Sequence, residues 1–171
     1  MHWVGLGIIT VVLAAAQTSI GSWIAVQGAA PSFLFIAAVI YGFRWTRNEA
    51  GIAGWVLGMA ADMTSANSIG PQALGFALSA VAANRLRSVL MVDNPIAQLA
   101  TVGLLGWLTF AGMLVYEALL KTGWNGWSIG TCLRRAAWMA GYTAMLAPSL
   151  FWLMDRILPA FGLHLESKRR S

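Results

Sequence analysis

Apolar residues run through this chain in long blocks, and short polar or basic clusters interrupt them. A helix needs about 20 apolar residues to cross about 30 Å of hydrocarbon. Read on that scale, the blocks predict six membrane-spanning helices at about 3–26, 30–43, 50–66, 71–90, 95–119 and 132–154, followed by a short basic tail, 156–171. The second and third blocks are short and share one tight basic connection, "RWTRNE" (Arg44 to Glu49), so they read as a hairpin that is thin, tilted or shielded by the other helices. Pro31, Pro71 and Pro95 stand where helices are expected to begin, with Ser68, Gly70 or Asn94 nearby as cap candidates. The connections are short, and no linker, low-complexity tract or internal repeat divides the chain, which predicts a single transmembrane domain over 1–171.

Composition agrees with the pattern. Of 171 residues, 58% are hydrophobic and only 10% charged, and the mean hydropathy is +0.69. A soluble globule carries about a quarter of its residues as charges. The fold class expected is therefore an all-α integral membrane protein. The first block lacks a basic leader and a small-residue cleavage site, and further apolar blocks follow it, so it reads as a retained span.

Charge adds an orientation. If the N-terminus is cytoplasmic, Arg44, Arg47, Arg85, Arg87, Arg156, Lys168, Arg169 and Arg170 fall inside, and Lys121, Arg134 and Arg135 outside. That bias predicts both termini in the cytoplasm, with Arg85 and Arg87 on an inner basic face. The tail "ESKRR" can then meet anionic membrane lipid. The sequence pI of about 10.2 does not indicate a nucleic-acid partner, because the basic residues sit at the ends of apolar blocks and form no basic helical face. Trp3, Trp45, Trp124, Trp127 and Trp152 lie near expected span ends, where an indole ring prefers the interface.

Candidate chemistry is sparse. The histidines, His2 and His164, are at the chain ends, and Cys132 is the single cysteine, so no metal cluster and no catalytic triad can be built within the spans. Glu117 with Lys121 reads as an ordinary i, i+4 pair at a helix end, and Asp155 with Arg156 as a solvated boundary. Gln17, beside Thr18 and Ser19, places an amide at membrane depth, where it must hydrogen-bond; packing is favoured over a ligand contact.

The stretch "GWVLGMAADMTSANSIGPQ" carries the strongest signal. Gly54, Gly58 and Asp62 recur every four residues, with Gly51 and Ser65 beyond, so one stripe of the third helix is small and then acidic. Small residues let a second backbone approach closely. The fourth block offers Ala73, Ala77, Ala80 or Val81, and Asn84 as the matching face, which predicts antiparallel packing of helices three and four. A carboxylate in a span is a functional hypothesis by default. Asp62, however, lies about one turn from "TSANS", where its oxygens can accept from backbone N–H groups of the turn or of the fourth helix. A structural cap is favoured, ahead of a partner or ligand contact and of proton chemistry.

Gln17 with Thr18 and Ser19, Pro31, Tyr41, the Gly54, Gly58, Asp62, Gly70 series, Arg85 and Arg87, and Ala147 with Pro148 together resemble the rod shape-determining protein MreD family. The D-x7-G step from Asp62 to Gly70 is the most specific of these features. One position departs: family members often carry an acid after the helix-two proline, and this chain has Ser32. The resemblance implies a non-enzymatic, cofactor-free scaffold of the bacterial elongation machinery (elongasome) in the cytoplasmic membrane. It implies binding to MreC, with indirect links to the filament MreB, a SEDS glycosyltransferase and a class B penicillin-binding protein in lateral peptidoglycan synthesis and cell shape. It also implies a fold similar to the S component of energy-coupling-factor transporters, so the alternative is a substrate-binding subunit of a vitamin transporter. The scaffold predicts a dry interior and a groove for a partner helix; the transporter predicts a polar cavity open to the outside.

Overall fold

Ser, Thr and Asn caps set most of the element boundaries in the structure, a computed structural model that describes residues 3–20, 31–65, 70–87, 94–122 and 128–157. The described elements are helices: α1 (Trp3–Ile20), α2 (Phe33–Arg44), α3 (Arg47–Thr64), α4 (Pro71–Leu86), α5 (Pro95–Glu117) and α6 (Ile129–Ile157), with a wider π-helical turn, Ala118–Thr122, continuing α5. Pro71 and Pro95 are first helical residues, where a missing N–H costs nothing. Asn94 caps α5, its Oδ1 accepting the Ile96 N–H at 2.9 Å. Pro31 lies two residues before the first helical residue, because Ser32 is the cap and its Oγ accepts the Phe35 N–H at 3.3 Å.

α3 starts at Arg47, ahead of the expected 50, because the Glu49 carboxylate accepts both the Thr46 N–H (3.4 Å) and the Thr46 hydroxyl (2.8 Å). α6 starts at Ile129, ahead of the expected 132, because Ser128 Oγ accepts the Thr131 N–H at 3.2 Å. Residues 21–26, Ser68, 88–90, Trp124, Trp127, both histidines and the basic tail from 158 lie outside the described residues.

The helices run alternately up and down. Gln17 of α1 reaches Leu34 at the start of α2, while Thr143 and Phe151 of α6 lie beside Ser32 and Phe43 at the two ends of α2. α6 is therefore parallel to α2, and Trp3 and Ile157 fall at the same end of the bundle. The closest pairs are α3 with α4 and α5 with α6, and α2 lies between them. Phe35 joins the two pairs, its ring 5.2 Å from Phe76 of α4 and 5.3 Å from Phe110 of α5.

Every residue of α2 from Leu34 to Phe43 is buried. A helix apolar on all sides belongs inside, and its 12 residues cover only about 18 Å at 1.5 Å per residue. Its short length is thus matched by shielding on every side. Large apolar side chains cover the outside instead, among them Val4, Val11, Leu74, Leu78, Trp138, Met145 and Trp152. By length and composition one described helix, Pro95–Leu120, is able to cross a membrane (26 residues, mean hydropathy 1.7); Val4–Ser19 and Phe33–Arg44 are apolar but shorter.

Candidate functional site

The glycine stripe lies at the α3/α4 seam. A Cβ on Gly58 would come within 2.5 Å of Ala73 Cα and of the Gln72 carbonyl oxygen, and one on Gly54 within 2.7 Å of the Phe76 carbonyl oxygen. These are backbone atoms and cannot step aside. Gly42 of α2, in the middle of an apolar block, meets α4 in the same way at Ala80 and Ala83. α4 is thus pressed by bare backbone from two helices, a contact available only where no side chain intervenes.

Asp62 sits at the top of that stripe, 1% exposed. Its Oδ2 accepts the N–H groups of Gly70 (2.8 Å) and Ala73 (3.1 Å), and its Oδ1 accepts that of Gln72 (3.3 Å). Pro71, between them, has no N–H to satisfy. One carboxylate therefore serves the orphan donors of the α4 N-terminus, where the helix dipole also favours an anion. Gln72 completes the turn, its Nε2 donating to Ser65 Oγ at 3.0 Å. Gly70 has φ +121°, a backbone region closed to most side chains, and this aims its N–H at Asp62.

The buried α2 is held at both ends by other helices. At its start, Gln17 Oε1 accepts the Leu34 N–H at 3.3 Å, and Thr143 Oγ1 accepts the Ser32 N–H at 3.3 Å. At its end, Asn84 Nδ2 donates to the carbonyls of Gly42 (2.9 Å) and Trp45 (2.7 Å), and Arg87 Nη1 to those of Phe43 (3.3 Å) and Trp45 (3.1 Å). Arg85 and Arg87 are both exposed, and Arg87 is a donor to α2. The roles of Gly42, Asn84 and Thr143 carry no local sequence signal, because each depends on a helix distant in the chain. Ser32, where the resemblance led an acid to be expected, supplies the cap oxygen that accepts the Phe35 N–H.

One recess opens sideways between α4 and α5. It encloses about 500 Å³ and is lined mainly by Leu74, Leu78, Ala82, Leu108, Gly112 and Tyr116. At its floor the hydroxyls of Ser79 and Thr109 share a 2.7 Å hydrogen bond, and Gly75 packs on Thr109. Gly112, on its wall, has open space where a Cβ would stand. Its walls are apolar and its floor is already hydrogen-bonded. Asp62 and Gln17 are not among its lining residues, so the sequence-selected residues build the scaffold and the groove lies beside them. Among the described residues no group of three or more His, Cys, Asp or Glu side chains is placed to hold a metal.

No curated protein and no solved structure matches this sequence. The family model for rod shape-determining protein MreD matches residues 1–157, and the chain belongs to that family.

Proposed function

We propose that this protein is a non-enzymatic, multi-pass scaffold of the rod complex, set in the bacterial cytoplasmic membrane with both termini inside. It binds MreC through the α4/α5 groove, and through MreC it supports the coupling of MreB to the SEDS glycosyltransferase and the class B penicillin-binding protein in lateral peptidoglycan synthesis. Six spans fit the alternating helices, with α2 as a buried central strut and the exposed leucines and tryptophans of the outer helices facing lipid.

The observation that carries this reading is where the polar groups go. Asp62, Gln17, Ser32, Thr143, Asn84 and Arg87 are all engaged with helix ends. A binder of a small polar molecule needs convergent polar groups around an enclosed cavity, whereas the α4/α5 groove is apolar and open to the side. Helix association in lipid relies on close packing at small residues and on side-chain hydroxyls. Gly112, with open space at its Cβ position on the groove wall, supplies such a small residue. The test is affinity purification from the native membrane with identification of what is retained: MreC supports the scaffold, and a pair of ABC ATPases in its place would overturn it in favour of a transporter subunit.

A further inference from the structure

The two hydroxyls at the floor of the α4/α5 groove do not balance their protons. Ser79 and Thr109 are joined by one 2.7 Å hydrogen bond in which either can be the donor. Each hydroxyl brings one proton and two lone pairs. The bond uses one proton and leaves the other. Elsewhere in the bundle a helical threonine sends its proton back to the carbonyl four residues earlier: Thr10 to Leu6 at 2.8 Å, Thr101 to Ala97 at 2.7 Å and Thr143 to Met139 at 2.7 Å. Among the described residues neither Ser79 nor Thr109 makes such a bond, and each has the other as its hydrogen-bond partner. Both line the groove, Ser79 buried and Thr109 half-buried, so the spare donor belongs to the groove.

Depth makes that donor matter. Ser79 stands midway along α4 (Pro71–Leu86), about 11 Å from either end at 1.5 Å per residue. In a bilayer this level is deep in the hydrocarbon, where no water reaches a hydroxyl. An occupant of the groove that carries an acceptor is therefore favoured over one that does not. Lipid tails carry none. A helix carries a row of them, because a backbone carbonyl bonded within its own helix keeps a second lone pair. It comes within reach where a small residue lets the two backbones approach. Gly112, one turn from Thr109 on α5, leaves open space on the groove wall for that approach.

We propose that the Ser79–Thr109 pair is the recognition point of the groove: its remaining proton goes to a backbone carbonyl of a membrane-spanning partner helix, at a Gly, Ala or Ser of that helix level with the middle of α4. The contact rests on the proposed seating of MreC in this groove. It is tested by binding of purified full-length MreC to the full-length protein in mild detergent, with melting of each variant alongside. Ser79→Ala combined with Thr109→Val replaces both hydroxyls by apolar groups of similar shape, which is near neutral for the fold. With both protons gone, MreC binding should weaken about three- to thirtyfold, the worth of one hydroxyl bond between membrane helices. Either substitution alone leaves one hydroxyl with its proton and should weaken binding less. A second measurement is independent of these variants: Leu78→Cys, on the exposed wall beside Ser79, should cross-link to cysteines scanned through the MreC span only near its middle, beside a Gly, Ala or Ser. Cross-links confined to either end of the span, or a single variant as weak as the double, would overturn the hydroxyl contact. Native binding by the folded double variant, with binding lost in Gly112→Leu, would overturn it while leaving MreC in the groove. Native binding by a folded Gly112→Leu protein would overturn both.

Discussion

The Gly70 N–H donates to Asp62 Oδ2 at 2.8 Å, tying the last turn of α3 to the cap of α4. The same oxygen accepts from Ala73, and Oδ1 takes the longer bond from Gln72 at 3.3 Å. Asp62→Asn keeps one oxygen, enough for the two shorter bonds, and turns an amide donor toward the Gln72 N–H. Asp62→Leu strands all three donors at about 1–3 kcal/mol each. Melting of the purified variants should show Asn modestly destabilised and Leu failing to reach normal abundance. Equal loss of partner recovery in both, with the Asn variant folded, would assign the carboxylate a contact role through its charge.

Gly58 and Gly112 form a matched pair of controls on two helices. A methyl at Gly58 collides with the α4 backbone, so Gly58→Ala should cost about 1–3 kcal/mol, as overpacking does. Gly112→Ala adds a methyl to open space and should leave stability unchanged or slightly raised, since alanine is the better helix former. Detergent melting of the two variants side by side is the measurement, and similar melting points would contradict the seam geometry.

Arg87 and Arg85 should separate by role although they lie two residues apart. Arg87→Gln removes a donor to the Phe43 and Trp45 carbonyls, at about 1.5–3 kcal/mol for a bond from a charged group. Asn84→Leu removes the neighbouring donor and should add to it. Arg85→Gln, which removes none of these bonds to the α2 carbonyls, should lower the melting temperature less than Arg87→Gln does. A shift for Arg85→Gln as large as for Arg87→Gln would mean that the clamp does not stabilise α2.

Gly70→Ala isolates backbone conformation from packing. No atom of the described residues crowds the new methyl, yet φ is +121°. The cost should be about 1–3 kcal/mol from backbone strain alone, read as a lowered melting temperature. It should fall short of that of Asp62→Leu, because the carboxylate and its donors remain.

The sequence makes some of this site legible and hides the rest for identifiable reasons. Gly54, Gly58 and Asp62 fall on one helical stripe beside a polar turn, so both their shared face and the turn donors available to Asp62 can be read locally. Gln17 announces that it needs a hydrogen bond, but its donor, the Leu34 N–H, belongs to another helix. Arg87 reads as a topology charge because its carbonyl partners lie more than forty residues away. Gly42 is concealed between Tyr41 and Phe43 in an apolar block. The burial of α2 is hidden for a related reason: a continuous apolar run looks the same whether lipid or protein surrounds it. The α4/α5 groove depends on how far apart two helices stand, which no local pattern encodes.

The central claim, that this chain holds MreC through the α4/α5 groove, is tested most directly by recovery of MreC from the native membrane on tagged Gly112→Leu. Gly112 lines the groove, and a Cβ there would meet nothing within 4 Å among the described residues, so the leucine should extend into the recess and leave the fold intact. The variant should be present at native abundance, melt like the native protein and lose MreC, and cells relying on it should round up. Native recovery of MreC on a folded Gly112→Leu protein would contradict the account.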